Sequence, residues 1–257
     1  NSHPSALAAT AANALFDFLR STGTTITQAA GSNLTALVAS NGYLLNTSWT
    51  DHPVELAHLT IDANSKYNSN TSALVIRSWQ TVLHDLHVVN SPVDGIRLTN
   101  LALDGHTGLK SSQVNGRISN CFVENSGAAG IRVLDTQNAV TDWNLLDSWV
   151  SNSGTSAVLL DNAAGWQVRG LHTYGTQQHA IFANRCFATS ITDNYIEDFG
   201  HEGGESATWY GIVCHAQASS ASVIANNRVH SFRAEPTERS TFVFVGVSGV
   251  ESGGVGV

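Results

Sequence analysis

Two stretches of the sequence, Asn90-Ser-Pro-Val-Asp-Gly-Ile-Arg-Leu98 and Asn125-Ser-Gly-Ala-Ala-Gly-Ile-Arg-Val133, have almost the same pattern. Each begins with Asn, passes through a short turn and ends in Gly-Ile-Arg followed by an aliphatic residue. Asn tolerates the left-handed backbone of tight turns, and alternating aliphatic residues suit a strand with one buried face. A turn-and-strand unit that recurs in this way predicts a repeat protein.

Degraded copies of the Gly-Ile-Arg strand extend along most of the chain, and two further strand series precede it in each unit. The copies are Ala73–Arg77, Gly95–Thr99, Gly130–Leu134, Ala157–Asp161, Ala180–Asn184, Gly211–His215 and Phe242–Gly246. Three short strands in a unit of roughly 22 to 27 residues are typical of a parallel β-helix. The sequence therefore predicts an all-β, right-handed parallel β-helix of about seven or eight rungs over residues 24–257.

Stacked rungs place equivalent residues in ladders. We expect one interior ladder of Leu74, Ile96, Ile131, Val158, Ile181, Ile212 and Val243, and a second of Ile76, Leu98, Val133, Leu160, Ala183, Cys214 and Val245. Asn90, Asn125 and Asn152 should form a hydrogen-bonded ladder at one turn.

The two ends of the solenoid differ. Residues 5–21 have the apolar periodicity of an amphipathic helix, so residues 1–23 are predicted to form an N-terminal capping helix. Residues 243–257 show no recognisable cap. Because an uncovered rung leaves unpaired strand edges, we expect a further domain or a homo-oligomer to cover the C-terminal rung.

Composition narrows the partners and cofactors. With 12 Lys+Arg against 20 Asp+Glu the net charge is -8, which argues against nucleic acid or an anionic membrane as a partner. Cys121, Cys186 and Cys214 lack metal-ligand spacing and are predicted to be small buried residues. No metal site and no cofactor are predicted, and only Ca²⁺ is left open.

Insertions between the repeats predict where ligands bind. The segment before the Gly-Ile-Arg strand is long at residues 62–72, short in the middle rungs, and long again at residues 200–209 and 233–240. Another insertion, residues 101–113, follows the same strand. Since insertions of a solenoid collect on the binding face, we expect a groove over this strand, walled at both ends.

The repeat pattern of residues 50–250 resembles the right-handed parallel β-helices of the pectin-lyase-like superfamily. This resemblance implies a polysaccharide lyase, hydrolase, epimerase or fructan-processing enzyme, or a tailspike or adhesin, and a secreted or cell-surface location. Residues 90–98 are similar to the Asn-Thr-Asp-Gly element of polygalacturonases, which implies an active-site role for Asp94. Ala128 and Ala129 replace the paired aspartates of that family, and the Gly-His-Gly and Trp-Ile-Asp-His phrases are absent.

Arginines on the predicted groove floor suggest an anionic ligand. Arg97 and Arg132 should lie side by side and point outward, where two guanidiniums can clamp a carboxylate. The competing interpretation is that they pair with Asp94, Asp135 or Asp161 on the same face.

A possible pair of proton-transfer groups lies further along the groove. His179 and Tyr210 occupy equivalent positions in adjacent rungs, a pair suited to proton transfer next to a carboxylate. Glu202, in the 200–209 insertion, is a third acid/base candidate. Asp161, Asn184, His215 and Trp209 complete the predicted substrate contacts.

These candidates support three hypotheses. The first is a polysaccharide lyase, in which Arg97 and Arg132 hold a uronate and His179 and Tyr210 carry out β-elimination. The second is a glycoside hydrolase or a glycosyl or fructosyl transferase that uses Asp94, Asp161 or Glu202. The third is a non-catalytic, adhesin-like or tailspike-like module that binds glycans.

Overall fold

The computed structural model describes residues 23–48, 53–202, 208–217 and 221–230, and the backbone alone of Leu7–Ala8, Thr241–Val247 and Val255–Gly256. In these residues the chain winds into coils of three short strands, and each strand pairs in parallel with its counterpart in the next coil. This is the right-handed parallel β-helix that the repeat predicts, with three long sheets as its faces.

Sheet A contains the Gly-Ile-Arg strands. Its strands are β1 (Leu7–Ala8), β3 (Ala36–Ala39), β6 (Ser72–Ile76), β9 (Ile96–Thr99), β13 (Ile131–Leu134), β17 (Val158–Leu160), β20 (Ile181–Cys186), β23 (Tyr210–Ala216) and β26 (Thr241–Val247).

Sheets B and C form the other two faces. Sheet B contains β2 (Thr25–Thr27), β5 (Thr60–Asp62), β8 (His87–Ser91), β12 (Phe122–Ser126), β16 (Trp149–Ser153), β19 (His172–Tyr174), β22 (Tyr195–Glu197) and β25 (Arg228–His230). Sheet C contains β4 (Glu55–Ala57), β7 (Val82–His84), β11 (Arg117–Ser119), β15 (Asn144–Leu146), β18 (Gln167–Arg169), β21 (Ser190–Thr192), β24 (Ser222–Ala225) and β27 (Val255–Gly256). A short pair, β10 (Gln113–Val114) and β14 (Val140–Thr141), and a one-turn helix, α1 (Asn41–Leu44), complete the described elements.

The interior is filled by aliphatic ladders in the predicted register. Leu74 pairs with Ile96, Ile96 with Ile131, and Ile131 with Val158, and all four side chains are fully buried. The second predicted ladder is also in register from Ile76 to Val245. The three cysteines are buried free thiols, as predicted. One continuous apolar core therefore extends along the axis of the described coils.

The Asn ladder is also confirmed. Asn90, Asn125 and Asn152 all have positive φ, and the side-chain amide of each later Asn donates to the side-chain oxygen of the one before, at 3.4 and 3.2 Å. Gly130, just before strand β13, does not have a positive φ. It is required because a side chain at this position would collide with its neighbours. A Cβ on Gly130 would lie 2.3 Å from Cγ1 of Val150 in sheet B.

Two predictions about the ends fall largely on residues that the structure does not describe. Of the predicted capping helix only Leu7–Ala8 is described. The backbone of these two residues pairs with Val38 and Ala39 as strand β1, and the rest of the predicted helix lies outside the described residues, so the N-terminal cap stays a prediction. At the other end β27 pairs with β24, and the cover expected over residues 243–257 stays a prediction. No helix in the described ranges has the length and apolar character needed to span a membrane.

Candidate functional site

The outer face of sheet A carries the side chains that the sequence places on the groove floor. Arg97, Arg132, Leu159 and Phe182 pair in sequence across β9, β13, β17 and β20. They alternate with the buried ladder residues, so they point away from the core. The floor is therefore cationic at β9 and β13 and apolar at β17 and β20.

Arg97 is held by a buried carboxylate. Its Nε donates to Oδ2 of Asp94 at 2.6 Å, and the Asp94 side chain is 0% exposed. The other oxygen, Oδ1, accepts the backbone N–H of Ala129 at 3.2 Å. Both carboxylate oxygens of Asp94 thus have hydrogen-bond partners. Arg97 is paired with a carboxylate on its own face, which is the competing interpretation that the sequence left open.

Arg132 is much less constrained. Its nearest carboxylate, Oδ2 of Asp161, lies 3.6 Å from Nη2, which is longer than a hydrogen bond, and the two side chains are 28% and 33% exposed. The Nε of Arg132 is buried and finds no hydrogen-bond acceptor among the described residues. Burial raises the pKa of Asp161 even though Arg132 opposes that shift, and the carboxylates of Asp94 and Asp135 add to it. Arg132 is therefore the floor cation with capacity left for an anion.

A third arginine follows a sheet A strand at the first coils. Arg77 follows β6 and is fully buried, with its Nε donating to the Thr99 carbonyl and Nη1 to the Tyr43 carbonyl and the Asn46 side chain. The 101–113 insertion reaches the same place, because the Leu103 backbone N–H donates to Oδ1 of Asn46 at 3.0 Å. Arg77 therefore connects β6 to the segments that contain Tyr43, Asn46 and Thr99, and it is unavailable to a ligand.

An aromatic cluster covers the other half of the floor. The His179 ring is stacked on Tyr210 at 5.5 Å with 9° between the planes, and it meets Trp209 edge-on at 5.0 Å. Phe182 lies 5.5 Å from His179 and contacts His215 edge-on at 5.3 Å. The structure thus brings together His179, Tyr210, Trp209 and His215, as the sequence predicts. Such rings offer apolar faces and edges to a sugar ring.

His179 is held in one protonation state. Its Nδ1 accepts the backbone N–H of Tyr210 at 3.0 Å, so the neutral ring carries its proton on Nε2. Burial lowers the pKa of His179 to about 4, assisted by the nearby His215. At neutral pH the imidazole is therefore uncharged and acts as a hydrogen-bond donor through Nε2, rather than as a base.

The remaining candidates lie at the margins of the cluster. The Oδ1 of Asn184 accepts the backbone N–H of Arg185 at 3.0 Å, next to the irregularity in pairing between β20 and β23. Glu202 is exposed, and its Oε2 accepts from Nε2 of Gln178 at 2.6 Å. Its carbonyl accepts Nε1–H of Trp209, also at 2.6 Å, which fixes Trp209 beside His179. The structure therefore shows Glu202 supporting the cluster through its backbone.

A neutral polar pocket of about 360 Å³ adjoins the turns that precede β9 and β13. Its lining residues are Ser65, Asn68, Ser69, Ser91, Pro92, Asn125, Ser126 and Gly127. The 62–72 insertion forms one side of this pocket. Hydroxyl and amide groups without a charged side chain are suited to sugar hydroxyls.

A ladder of rings that the repeat pattern did not predict lies on the outer face of sheet B. His87, Phe122, Trp149, His172 and Tyr195 occupy one register position in five successive coils, with ring centroids 4.0 to 5.7 Å apart. Each of these rings is the first residue of its sheet B strand, so alignment of the strands would have shown the ladder. Phe122 and Trp149 are stacked, and the other neighbouring rings meet tilted or edge-on, so we interpret this ladder as a stabilising series of aromatic contacts.

The described coils thus define a parallel β-helix protein whose sheet A carries one loosely paired cation and an aromatic cluster on its outer face. No family model matches the chain. Among solved structures, the A-module of the mannuronan C-5 epimerase AlgE4 of Azotobacter vinelandii is similar, with a TM-score of 0.47. The two are 12% identical over 88% of this chain and 81% of that chain. Similarity at this level assigns no activity to the groove.

Proposed function

We propose that the groove over sheet A binds a uronate-containing polysaccharide and cleaves it by β-elimination. The observation that carries this proposal is the contrast between the two floor arginines. Arg97 is neutralised by a buried carboxylate, whereas Arg132 is partly exposed and lies beyond hydrogen-bonding distance of Asp161. A guanidinium in this state favours a ligand carboxylate, which it can bind through two parallel N–H groups.

The proton-transfer groups lie within reach of such a ligand. Arg132 is on β13 and His179 immediately precedes β20, two coils further along, which corresponds to about 10 Å at the usual strand spacing. That distance is comparable to one or two sugar units. Tyr210, on β23, is one coil further, about 14 Å from Arg132. Arg132 therefore holds the carboxylate of one uronate unit, and the polymer extends over Leu159 so that a neighbouring unit lies at the aromatic cluster.

The geometry changes the role first expected of His179. In β-elimination a base removes the proton next to the carboxylate, a carbon–carbon double bond forms, and the bond to the leaving oxygen breaks. Neutral His179 offers Nε2–H, which can bind the substrate carboxylate or the leaving oxygen. Proton removal is then assigned to Tyr210 in its phenolate form, whose ring is stacked on the imidazole. The phenol formed in this way returns the proton to the leaving oxygen, so Tyr210 is again a phenolate at the end of the step.

A hydrolase or transferase remains the alternative enzyme. Asp94 is unsuited to it, because its carboxylate is fully buried and binds Arg97. The raised pKa of Asp161 favours this residue as a proton donor, with Glu202 as the second carboxylate. A glycan-binding module without catalysis would use the same groove.

A panel of polymers distinguishes these activities. Galacturonate, mannuronate and guluronate polymers, with neutral glucans as controls, should be assayed for new reducing ends and for ultraviolet-absorbing unsaturated ends. We expect unsaturated ends from at least one uronate polymer, and their loss in Tyr210→Phe, which keeps the ring stack. Reducing ends without unsaturation would establish hydrolysis, and saturable binding without either product would establish a binding module. Both outcomes contradict the proposed elimination.

A further inference from the structure

A cluster of histidine and carboxylate side chains lies outside the groove, at the corner between sheets C and B of the first coils. It consists of His58, His84 and Asp85, whose nearest ligand atoms all lie within 4.8 Å of one another. His58 follows β4, His84 ends β7 and Asp85 follows it, so the cluster joins two successive coils. The groove chemistry makes no use of these residues.

The turn that carries the cluster is the same in every described coil. His58, Asp85, Asn120, Asp147, Gly170, Asp193 and Asn226 follow paired sheet C residues, and all have positive φ. Asn, Asp and Gly are the usual residues for this backbone conformation. His58 is the one imidazole at this position in the described coils, and it stands directly beside the Asp85 carboxylate.

We propose that His58, His84 and Asp85 bind a zinc ion, with the Nδ1 atoms of both histidines and Oδ2 of Asp85 as ligands. The distances to Oδ2 of Asp85 are 2.7 Å from Nδ1 of His84 and 3.9 Å from Nδ1 of His58. Zinc bonds of about 2.0–2.2 Å hold neighbouring ligand atoms roughly 3.3 Å apart, between these two values. Small rotations of the partly exposed side chains bring all three ligands to one ion.

Glu55 supplies the partner that a ligating histidine needs. Its Oε1 lies 3.1 Å from Nε2 of His84 and accepts Nε2–H, while Nδ1–H of the same ring donates to Oδ2 of Asp85 at 2.7 Å. Zinc would take the place of the Nδ1 proton, which is released to solvent, and Glu55 would keep the Nε2–H bond. Histidines bound to zinc generally donate their second N–H to a carboxylate or carbonyl, which fixes the tautomer and the ring orientation. Glu55 is therefore a positioning residue for the site.

The donor set selects the metal. Two imidazole nitrogens and one carboxylate suit zinc or another late first-row divalent ion, whereas Ca²⁺ and Mg²⁺ require sites made mainly of oxygen. Three protein ligands leave a fourth position for water. The ion would connect the coil of β4 to the coil of β7 on the side away from the groove.

Calorimetric titration of the chelator-treated full chain with ZnCl₂, and separately with CaCl₂, tests the site. We expect one saturable zinc per chain, no comparable calcium binding, and a higher melting temperature with zinc. His58→Gly, which Gly170 shows to be compatible with this turn, and His84→Gln should each weaken zinc binding at least tenfold. Glu55→Gln should weaken it about tenfold through the orientation of His84.

A matched control and a spectroscopic readout complete the test. His106→Gln removes an exposed histidine in the 101–113 insertion and should bind zinc like the wild type. Co²⁺ in place of zinc should give visible absorption bands of a nitrogen-ligated ion that disappear in His58→Gly. The proposal is overturned if the wild type binds no zinc, or if binding persists unchanged in folded His58→Gly and His84→Gln. None of these results depends on the groove's activity.

Discussion

Asp94 and Arg97, three residues apart, form a 2.6 Å ion pair in which the carboxylate is fully buried and the guanidinium is 18% exposed. The pair lies one coil before Arg132, which occupies the same register position as Arg97. The same Gly-Ile-Arg pattern therefore produces two different arginines. Arg97 is paired with the buried carboxylate of Asp94. Arg132 lies near the half-buried carboxylate of Asp161 and has capacity to bind a ligand.

The two ion pairs should differ in their contribution to stability. Asp94→Asn removes the buried partner of Arg97, and we expect it to lower the free energy of unfolding by about 2–3 kcal/mol, since a partly buried charge loses its counterion. Asp161→Asn, the matched control, should cost less than about 1 kcal/mol because its pair is half-exposed. Urea unfolding measures both values. Equal costs would contradict the distinction between the arginines.

The protonation state of His179 gives a prediction about pH. Its pKa is about 4 in the folded protein, below the value of about 6.5 expected in the unfolded chain. The unfolded state therefore binds more protons between these values, so this contribution to stability is complete above pH 6.5 and is lost as the pH falls towards 4. His179→Asn, which keeps an acceptor for the Tyr210 N–H, should reduce the slope of unfolding free energy in this window. An imidazole NMR titration near pH 6.5 would contradict the buried, neutral ring.

The Asn ladder allows the cost of the backbone to be separated from that of the hydrogen bonds. Asn125 has φ of 56°, and its side chain bonds to both Asn90 and Asn152. Asn125→Gly keeps the backbone and loses the bonds, so we expect a loss of about 0.5–1 kcal/mol. Asn125→Ala adds the left-handed strain of about 1–2 kcal/mol. Chemical denaturation of the two variants measures whether Asn125→Ala loses more stability than Asn125→Gly. An Ala variant as stable as the Gly variant would contradict this expectation.

The ring ladder on sheet B should stabilise the coils. Trp149 lies 5.7 Å from Phe122 and 4.0 Å from His172, and it is 36% exposed. Trp149→Ala should cost about 2 kcal/mol, because it removes two aromatic contacts. Tyr174→Ala changes a side chain of similar exposure, 40%, on the same sheet but outside the ladder, and should cost no more than about 0.5 kcal/mol. Thermal unfolding of both variants would show the difference, and equal shifts would rule out a stabilising ladder.

The fold was predictable because register in a solenoid follows from the repeat. Once Ile96 and Ile131 are assigned to one position, the period places Leu74, Val158 and Ile181 beside them, and the structure confirms each pairing. The adjacency of His179 and Tyr210 followed in the same way. Coil position is thus encoded in the sequence pattern.

Side-chain pairing was not predictable to the same degree. Asp94 stands three residues before Arg97, whereas Ala129 stands three residues before Arg132, so the sequence shows that the two arginines differ. It does not show that Asp94 is fully buried or that Asp161 of the next coil lies 3.6 Å from Arg132. The orientation of His179 depends on a backbone N–H in the next coil, which no spacing rule specifies. The cluster of His58 with His84 and Asp85 was missed because His58 is distant in sequence from the adjacent pair His84-Asp85 and meets it only across coils.

Binding of uronate oligomers to Arg132→Gln, measured by calorimetry beside the wild type, tests the central claim most directly. We expect the wild type to bind at least one oligouronate, and Arg132→Gln to bind it at least tenfold more weakly, with any binding of neutral oligosaccharides unchanged. This loss corresponds to a charge-assisted contact of about 1.4 kcal/mol or more. Unchanged oligouronate affinity in folded Arg132→Gln would contradict the assignment of Arg132 as the ligand-binding cation of the groove.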